Sequence, residues 1–555
     1  MGGFYQNLNK HYLLYLPCHS RNFFMFLNYR KEEVPSDIQT DICIIGAGAA
    51  GITLAKKLSD SGLKVSVLES GGFEYEPKTQ DMYKGENIGQ TYLPLNISRL
   101  RYLGGTTNHW AGWCVPLDEL DFQKREWIPH SGWPINRSDL DPYYVEAQKL
   151  CQLGPFEYDA DYWSKEIENF PNFNTQSLLP RFQQFSSPAT RFGTEYKEDL
   201  EKAKNVTVYL HTNVTNININ EANSEINSIS IDSLEGKSGT VTAKKYILAC
   251  GGIENPRLLL ASNDVMNVGI GNQNDLVGRF FMEHAEVYKT SHVTNFQGPL
   301  MKDLKNKLTS SGTRIGIRLC PSPEHQKKLK IANSAAIILA PSFSKEENGY
   351  TSFSKLTRSL VKGKLPDKPK EKIAKIIKDI DTALGVYTLK AQGKSLSQRI
   401  HEKGKISLAC SSEQIPNPDS RVVLSTEKNK LGNPRANLDW QLSELDYRTI
   451  RENMLLIGAE FSRLGVGRVQ LDEWIKTEEY KWPKDLTGGS HHMGTTRMSD
   501  DPSTGVVDKN CKVHGISNLY VAGSSVFTTG GQANPTLTIV ALALRLAEHL
   551  KTQTT

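Results

Sequence analysis

An α/β protein with a Rossmann-like nucleotide-binding unit is the fold class this sequence predicts. Three observations carry the prediction. A short apolar run leads straight into a glycine-rich turn and a helical pattern. A second short strand pattern follows and ends on an acidic residue. The chain has 555 residues, more than one hydrophobic core usually serves, so two or three domains are expected.

The N-terminal elements follow in order. Asp41-Ile42-Cys43-Ile44-Ile45 reads as a buried strand, and Gly46-Ala47-Gly48-Ala49-Ala50-Gly51 comes directly after it. Ile52, Leu54, Ala55 and Leu58 then recur at helical spacing, with a stop near Gly62. A second strand, Lys64 to Leu68, ends at Glu69. This βαβ context makes the G-x-G-x-x-G spacing a dinucleotide-binding fingerprint. Gly46 allows the tight turn, Gly48 lets the backbone approach a pyrophosphate, and Gly51 lets helix and strand pack closely. Free N–H groups at the helix start, around Ala49, suit phosphate. Glu69 is placed to accept hydrogen bonds from a ribose diol. The fingerprint alone fits FAD and NAD equally.

At the other end, Asn534-Pro535 opens an apolar helix through Leu537, Ile539, Val540, Leu542, Leu544 and Leu546. Asparagine is a favoured N-cap and proline a favoured first helical residue. Upstream lie Gly488-Gly489-Ser490-His491-His492-Met493-Gly494-Thr495-Thr496 and Leu519-Tyr520-Val521-Ala522-Gly523-Ser524-Ser525. Three further segments are Tyr246 to Arg257, Asn274 to His284, and Glu413 to Val422. In these ordered motifs the chain resembles the glucose-methanol-choline (GMC) oxidoreductases, nearest the branch of pyranose oxidase and the sugar dehydrogenase flavin subunits.

The resemblance implies FAD as the cofactor and a Rossmann-like FAD-binding domain that is discontinuous, with an α+β substrate domain. It would place the FAD domain in residues 38–115, 200–290 and 480–555. The substrate domain would take 116–199 and 291–479, with a lysine-rich insertion at about 302–405, in which Ile373, Ile376, Ile377 and Ile380 show helical spacing. Residues 1–37 read as an N-terminal extension. The implied reaction oxidises a CH–OH group of a sugar, glycoside or other alcohol to a carbonyl, with hydride transfer to flavin N5. Oxygen, a quinone or another acceptor would then take the electrons.

Such chemistry needs a base, and histidine suits it because its ordinary pKa lies near 6.5. The aligned base is His491 and its partner Asn534; a one-residue shift would make the base His492 instead, and Asn534 could serve only as a helix cap. His514 reads as a surface-turn residue. The resemblance further implies FAD contacts from Gly46, Gly48, Ala49, Gly51, Glu69, Gly104, Gly105, Thr106, Asn108, His109, Val214, Gly523, Ser524, Pro535 and Thr536. His109 aligns with the histidine that pyranose oxidase bonds to the flavin 8α-methyl, although Asn108 departs from that run. Two alternatives stay open: a GMC-fold protein doing non-redox lyase chemistry, and the flavin subunit of a membrane-associated dehydrogenase with a companion electron-transfer subunit.

Composition bounds the rest. The 66 basic and 61 acidic residues leave a net charge of only +5, which argues against a nucleic-acid partner. The eight cysteines are scattered singly, without metal-ligand spacing, so neither a metal site nor a disulfide scaffold is expected. No signal peptide or membrane span is read, and a cytoplasmic location is expected, with co-export alongside a partner left open.

Overall fold

The computed structural model describes residues 25–294, 304–339, 406–477 and 479–553. Most of the N-terminal extension, and the helical spacing of Ile373 to Ile380, lie outside them.

The first sheet has eight strands. Its parallel centre runs Phe26–Asn28, Val206–Leu210, Val65–Glu69, Asp37–Ile45, Ser238–Leu248, and Leu519–Val521 also pairs with Ser238–Leu248. Ile42 lies opposite Val65 on one side and Lys245 on the other. Every residue of Val65–Glu69 is buried, as expected of a strand covered on both faces, and so its sequence is a run rather than an alternation. The helix Ala49–Leu58 packs against the C-terminal helix Thr536–Thr552, which also packs on Asp141–Leu150. Leu537, Val540, Ala541, Leu544 and Leu546 are buried in that layer.

Among the described residues the second sheet has nine strands, all paired antiparallel. Its central strands His284–Thr294, Ile406–Glu413, Ser334–Leu339, Arg314–Pro321 and Leu178–Phe185 lie side by side. Among the described residues the long helix Glu444–Leu464 packs across it. Ile450, Met454, Ile457 and Phe461 recur at the three-to-four spacing of one helix face and are all buried. Its ends are set locally: Ser443 and Asp446 form a reciprocal capping box, and Gly465 stops the helix at φ 65°. A two-stranded ribbon, Arg421–Lys428 with Pro434–Asp439, packs on the helix Gly251–Ala261. The long strand His284–Thr294 lies in the second sheet throughout, and Leu486–Gly488 pairs with its first residues. The site lies where these layers meet.

Among the described residues no helix is long and apolar enough to cross a membrane. No three His, Cys, Asp or Glu side chains gather there as a metal group would require.

Candidate active site

The glycine turn is built as its residue types require. Gly46 sits at φ 104°, and a β-carbon there would lie 2.7 Å from the Ala249 carbonyl oxygen. A β-carbon on Gly51 would lie 1.9 Å from the Gly46 carbonyl oxygen, so helix and strand could not approach. At Gly48 nothing lies within 4 Å of that point, leaving open space beside the backbone. The segment from Gly104 docks onto the turn, with Gly104 N donating to the Ala47 carbonyl at 2.8 Å. Glu69 ends the second strand with its carboxylate buried, accepting from Ala47 N and Gly71 N, each at 2.9 Å. Burial pushes its pKa up while these two bonds oppose the rise. Glu69 therefore ties down the glycine turn besides lining the space in front of it.

That space is a cavity of about 670 Å³ running from the glycine turn to the second sheet. Two helix starts open onto it: Ala49 and Ala50 at one end, Pro535 and Thr536 at the other. Neither helix has a side-chain cap, so both present the positive end of their dipoles and free N–H groups. These features fit a dinucleotide carrying a pyrophosphate. Arg99 and Arg101 add charge along the wall, each over the Tyr83 ring, with Glu254 between them and Arg257.

At the second-sheet end a chain of hydrogen bonds sets the protonation of one imidazole. His284 Nε2 is 2.9 Å from the Gly531 carbonyl, which can only accept, so this nitrogen carries the hydrogen. Burial lowers the His284 pKa to about 4, so the ring is neutral and its Nδ1 is an acceptor. His491 Nδ1 lies 2.8 Å from that atom and must donate to it. The lone pair of His491 is thereby left on Nε2. Asn534 Nδ2 donates to this nitrogen at 3.2 Å. The amide cannot be the other way round, because Arg318 Nη2, a pure donor, bonds Asn534 Oδ1 at 2.9 Å. Burial first, then His284, Arg318 and His492, holds the His491 pKa well below its usual range.

Glu283 anchors this arrangement. Its carboxylate accepts from Tyr92 OH, the His491 backbone N–H, the His284 backbone N–H and the Gly489 backbone N–H. Burial pushes its pKa up to about 8, against four donors that match an ionised carboxylate. His492 Nε2 is 2.9 Å from Tyr92 OH, whose own hydrogen goes to Glu283, so His492 donates there.

Of the candidate base, partner and cofactor-contact residues singled out from sequence, fifteen line the cavity: Gly46, Gly48, Ala49, Glu69, Gly105, Thr106, His109, Val214, His491, His492, Gly523, Ser524, Asn534, Pro535 and Thr536. Gly51, Gly104 and Asn108 do not. Gly51 and Gly104 are packing positions, a β-carbon on Gly104 meeting Gly193 N at 2.7 Å, and Asn108 is turned away to donate to the Leu103 carbonyl at 2.8 Å. Asn534 does not cap its helix; the N-cap position falls on Pro535. His514 bonds the Ser499 carbonyl, outside the lining. Sequence reasoning missed the roles of His284, Glu283, Tyr92 and Arg318. Glu283-His284 stand in a recognised motif, which was a usable signal, whereas Arg318 lies in an ordinary strand, Arg314–Pro321, that offers none.

Comparison with known proteins agrees with this geometry. A family model described as FAD dependent oxidoreductase matches residues 41–268, and one described as GMC oxidoreductase matches residues 416–543. The chain is 24% identical to a 2-methyl-1,2-propanediol dehydrogenase of Mycolicibacterium austroafricanum, over 92% of this chain and 95% of that protein. It is also 24% identical to the fructose dehydrogenase large subunit of Gluconobacter japonicus, over 92% and 98%. A formate oxidase crystal structure shares the fold, with a TM-score of 0.56 at 17% identity, over 94% of this chain and 99% of that one.

Proposed function

We propose the following chemistry from one premise: this chain belongs to the GMC oxidoreductases and is an FAD-dependent enzyme acting on alcohols or sugars. The glycine turn, Glu69 and the two helix starts would hold the cofactor. Bound FAD supplies, at flavin N5, the acceptor for the carbinol hydride. His491 Nε2 takes the hydroxyl proton, and Asn534 orients the hydroxyl oxygen beside it. His284 and Glu283 hold the imidazole in the tautomer and orientation this requires.

The observation that carries the reading is the chain Gly531–His284–His491–Asn534–Arg318, which leaves the lone pair of His491 on the nitrogen next to Asn534. His492 is a weaker candidate because its Nε2 is engaged as a donor to Tyr92. An anaerobic screen of sugars, glycosides and simple alcohols tests the reading: a substrate bleaches the flavin, and His491→Ala abolishes rapid bleaching while FAD stays bound. Bleaching lost in His492→Ala but not in His491→Ala would move the base by one residue. Turnover of a substrate with no bleaching at all would favour lyase chemistry.

One relative is named as a large subunit, which supports looking for a companion electron-transfer subunit by purifying the protein with its neighbours.

A further inference from the structure

The strand His284–Thr294 alternates its side chains between two faces. Ala285 and Val287 point into the core of the second sheet and are fully buried. That fixes the register, so His284, Glu286 and Tyr288 share the opposite face. His284 stands behind the His491 imidazole at 2.8 Å. Glu286 and Tyr288 line the cavity, and Tyr288, 47% exposed, stands at its mouth.

Glu286 is held but not satisfied. Its Oε2 accepts from Tyr288 OH at 2.6 Å, which fixes the side chain. Among the described residues no hydrogen bond reaches Oε1, and no Lys, Arg or His nitrogen lies within 4.0 Å of the carboxylate. Oε1 and the His491 ring converge on one point: a β-carbon on Gly489 would lie 2.9 Å from Oε1 and 2.6 Å from His491 Nδ1. The absence of a side chain at Gly489 is what lets the two groups stand side by side at the same cavity. Oε1 is therefore left open to the cavity, where a hydroxyl donor of a bound molecule can take it up.

We propose that Glu286 is the specificity residue of this site: its Oε1 accepts a hydrogen bond from a second hydroxyl of the substrate while His491 engages the reacting one, so the cavity selects diols and sugars over monohydric alcohols. The proposal rests on reading the cavity as an alcohol site. The selection needs no additional cation or cofactor. It requires only that the second hydroxyl lie on the same side of the substrate as the reacting carbinol.

The test titrates anaerobic holoenzyme with cyclohexanol, cyclohexane-1,2-diol, cyclohexane-1,3-diol and 2-aminocyclohexanol. Binding is read from the perturbation of flavin absorbance, and reduction separately from bleaching. At least one diol binds about ten- to hundredfold more tightly than cyclohexanol, the gain from one hydrogen bond to a charged acceptor. Glu286→Gln removes that advantage and leaves cyclohexanol binding, FAD content and melting temperature unchanged. Should Glu286→Gln not fold, Glu286→Asp, which withdraws the carboxylate by one methylene, removes the same advantage. Equal binding of diols and cyclohexanol, or a diol advantage that survives both variants, overturns the proposal. So does an amino alcohol that outbinds both diols through Glu286, because the site would then be one for cations. A diol that binds through Glu286 but never bleaches the flavin leaves this subsite standing and removes the alcohol-oxidation reading instead.

Discussion

Gly51 and Gly48 are only three residues apart, yet substitution at each should fail differently. A methyl group at Gly51 collides with the Gly46 carbonyl at 1.9 Å, so Gly51→Ala costs about 1–3 kcal/mol of stability, the range for overpacking a dense interior. At Gly48 a β-carbon meets no protein atom, so Gly48→Ala melts like the wild-type apoprotein and loses FAD affinity instead. Thermal melting of apoprotein beside FAD titration separates the two. If His491 is the base as proposed, His491→Ala slows flavin reduction by on the order of 10² to 10⁴, the usual scale for a positioned acid–base group. The depressed pKa of His491 keeps the wild-type ring neutral through ordinary pH. The limiting rate of reduction is therefore flat across neutrality and falls only as acid protonates the ring. A rate that still rises between pH 6 and 8 contradicts this. Asn534→Ser shortens the side chain by about one heavy atom, and a misplacement near 1 Å can cost about a hundredfold in rate. Because Asn534 accepts from the buried Arg318 instead of capping its helix, the serine variant both slows flavin reduction and lowers the melting temperature, whereas a mere cap would tolerate serine with both unaltered.

Helix ends supply the clearest prediction at the level of elements. Ser443 accepts from Asp446 N and, with Asp446, closes a capping box on the helix that covers the second sheet. Ser443→Ala therefore costs about 1 kcal/mol, seen as an earlier thermal transition, with the flavin spectrum and reduction rate unaltered. The helix itself was legible in principle, through its polar start, its spaced apolar residues and its terminal glycine. The C-terminal helix was legible in extent but not in its start. Asn534-Pro535 has the residue types of an N-cap and first turn, yet the helix begins one residue later and the amide is taken by His491 and Arg318. Local propensity gave way because two buried tertiary partners compete for the same side chain. Asn108 departs for a similar reason: its segment turns the amide back to the Leu103 carbonyl rather than toward the cavity.

For the molecule as a whole, pH and cofactor are the two handles. Burial lowers the pKa of His492 from an ordinary 6.5 to about 3, so the folded state holds it neutral. Its contribution to stability is fully present above the unfolded value and is lost as pH falls from about 6.5 toward 3, where the unfolded chain binds the proton first. Relative to His492→Gln, which cannot titrate, the wild type must lose melting temperature across that window. A constant difference between the two proteins from pH 7 to pH 4 would count against the buried neutral ring. Removing FAD acts through mass action: free cofactor at a hundred times its dissociation constant stabilises by about 2.7 kcal/mol. The apoprotein should melt lower, and added FAD should restore the transition in proportion to the logarithm of its concentration.

Legible in the chain alone were the βαβ start, the positions that glycine must fill, the pairing of the chain's two ends at one cavity, and the resemblance to the GMC oxidoreductases. Those features are local: a positive φ, a close backbone approach or an apolar run is written within a few neighbouring residues. The proton arrangement of the His491 imidazole, by contrast, follows from long-range contacts. The His284–His491 contact joins residues 207 apart and the Arg318–Asn534 bond residues 216 apart. Which nitrogen holds a proton depends on what each partner can donate or accept. That direction passes from Gly531 and Arg318 through atoms that no short stretch of sequence brings together.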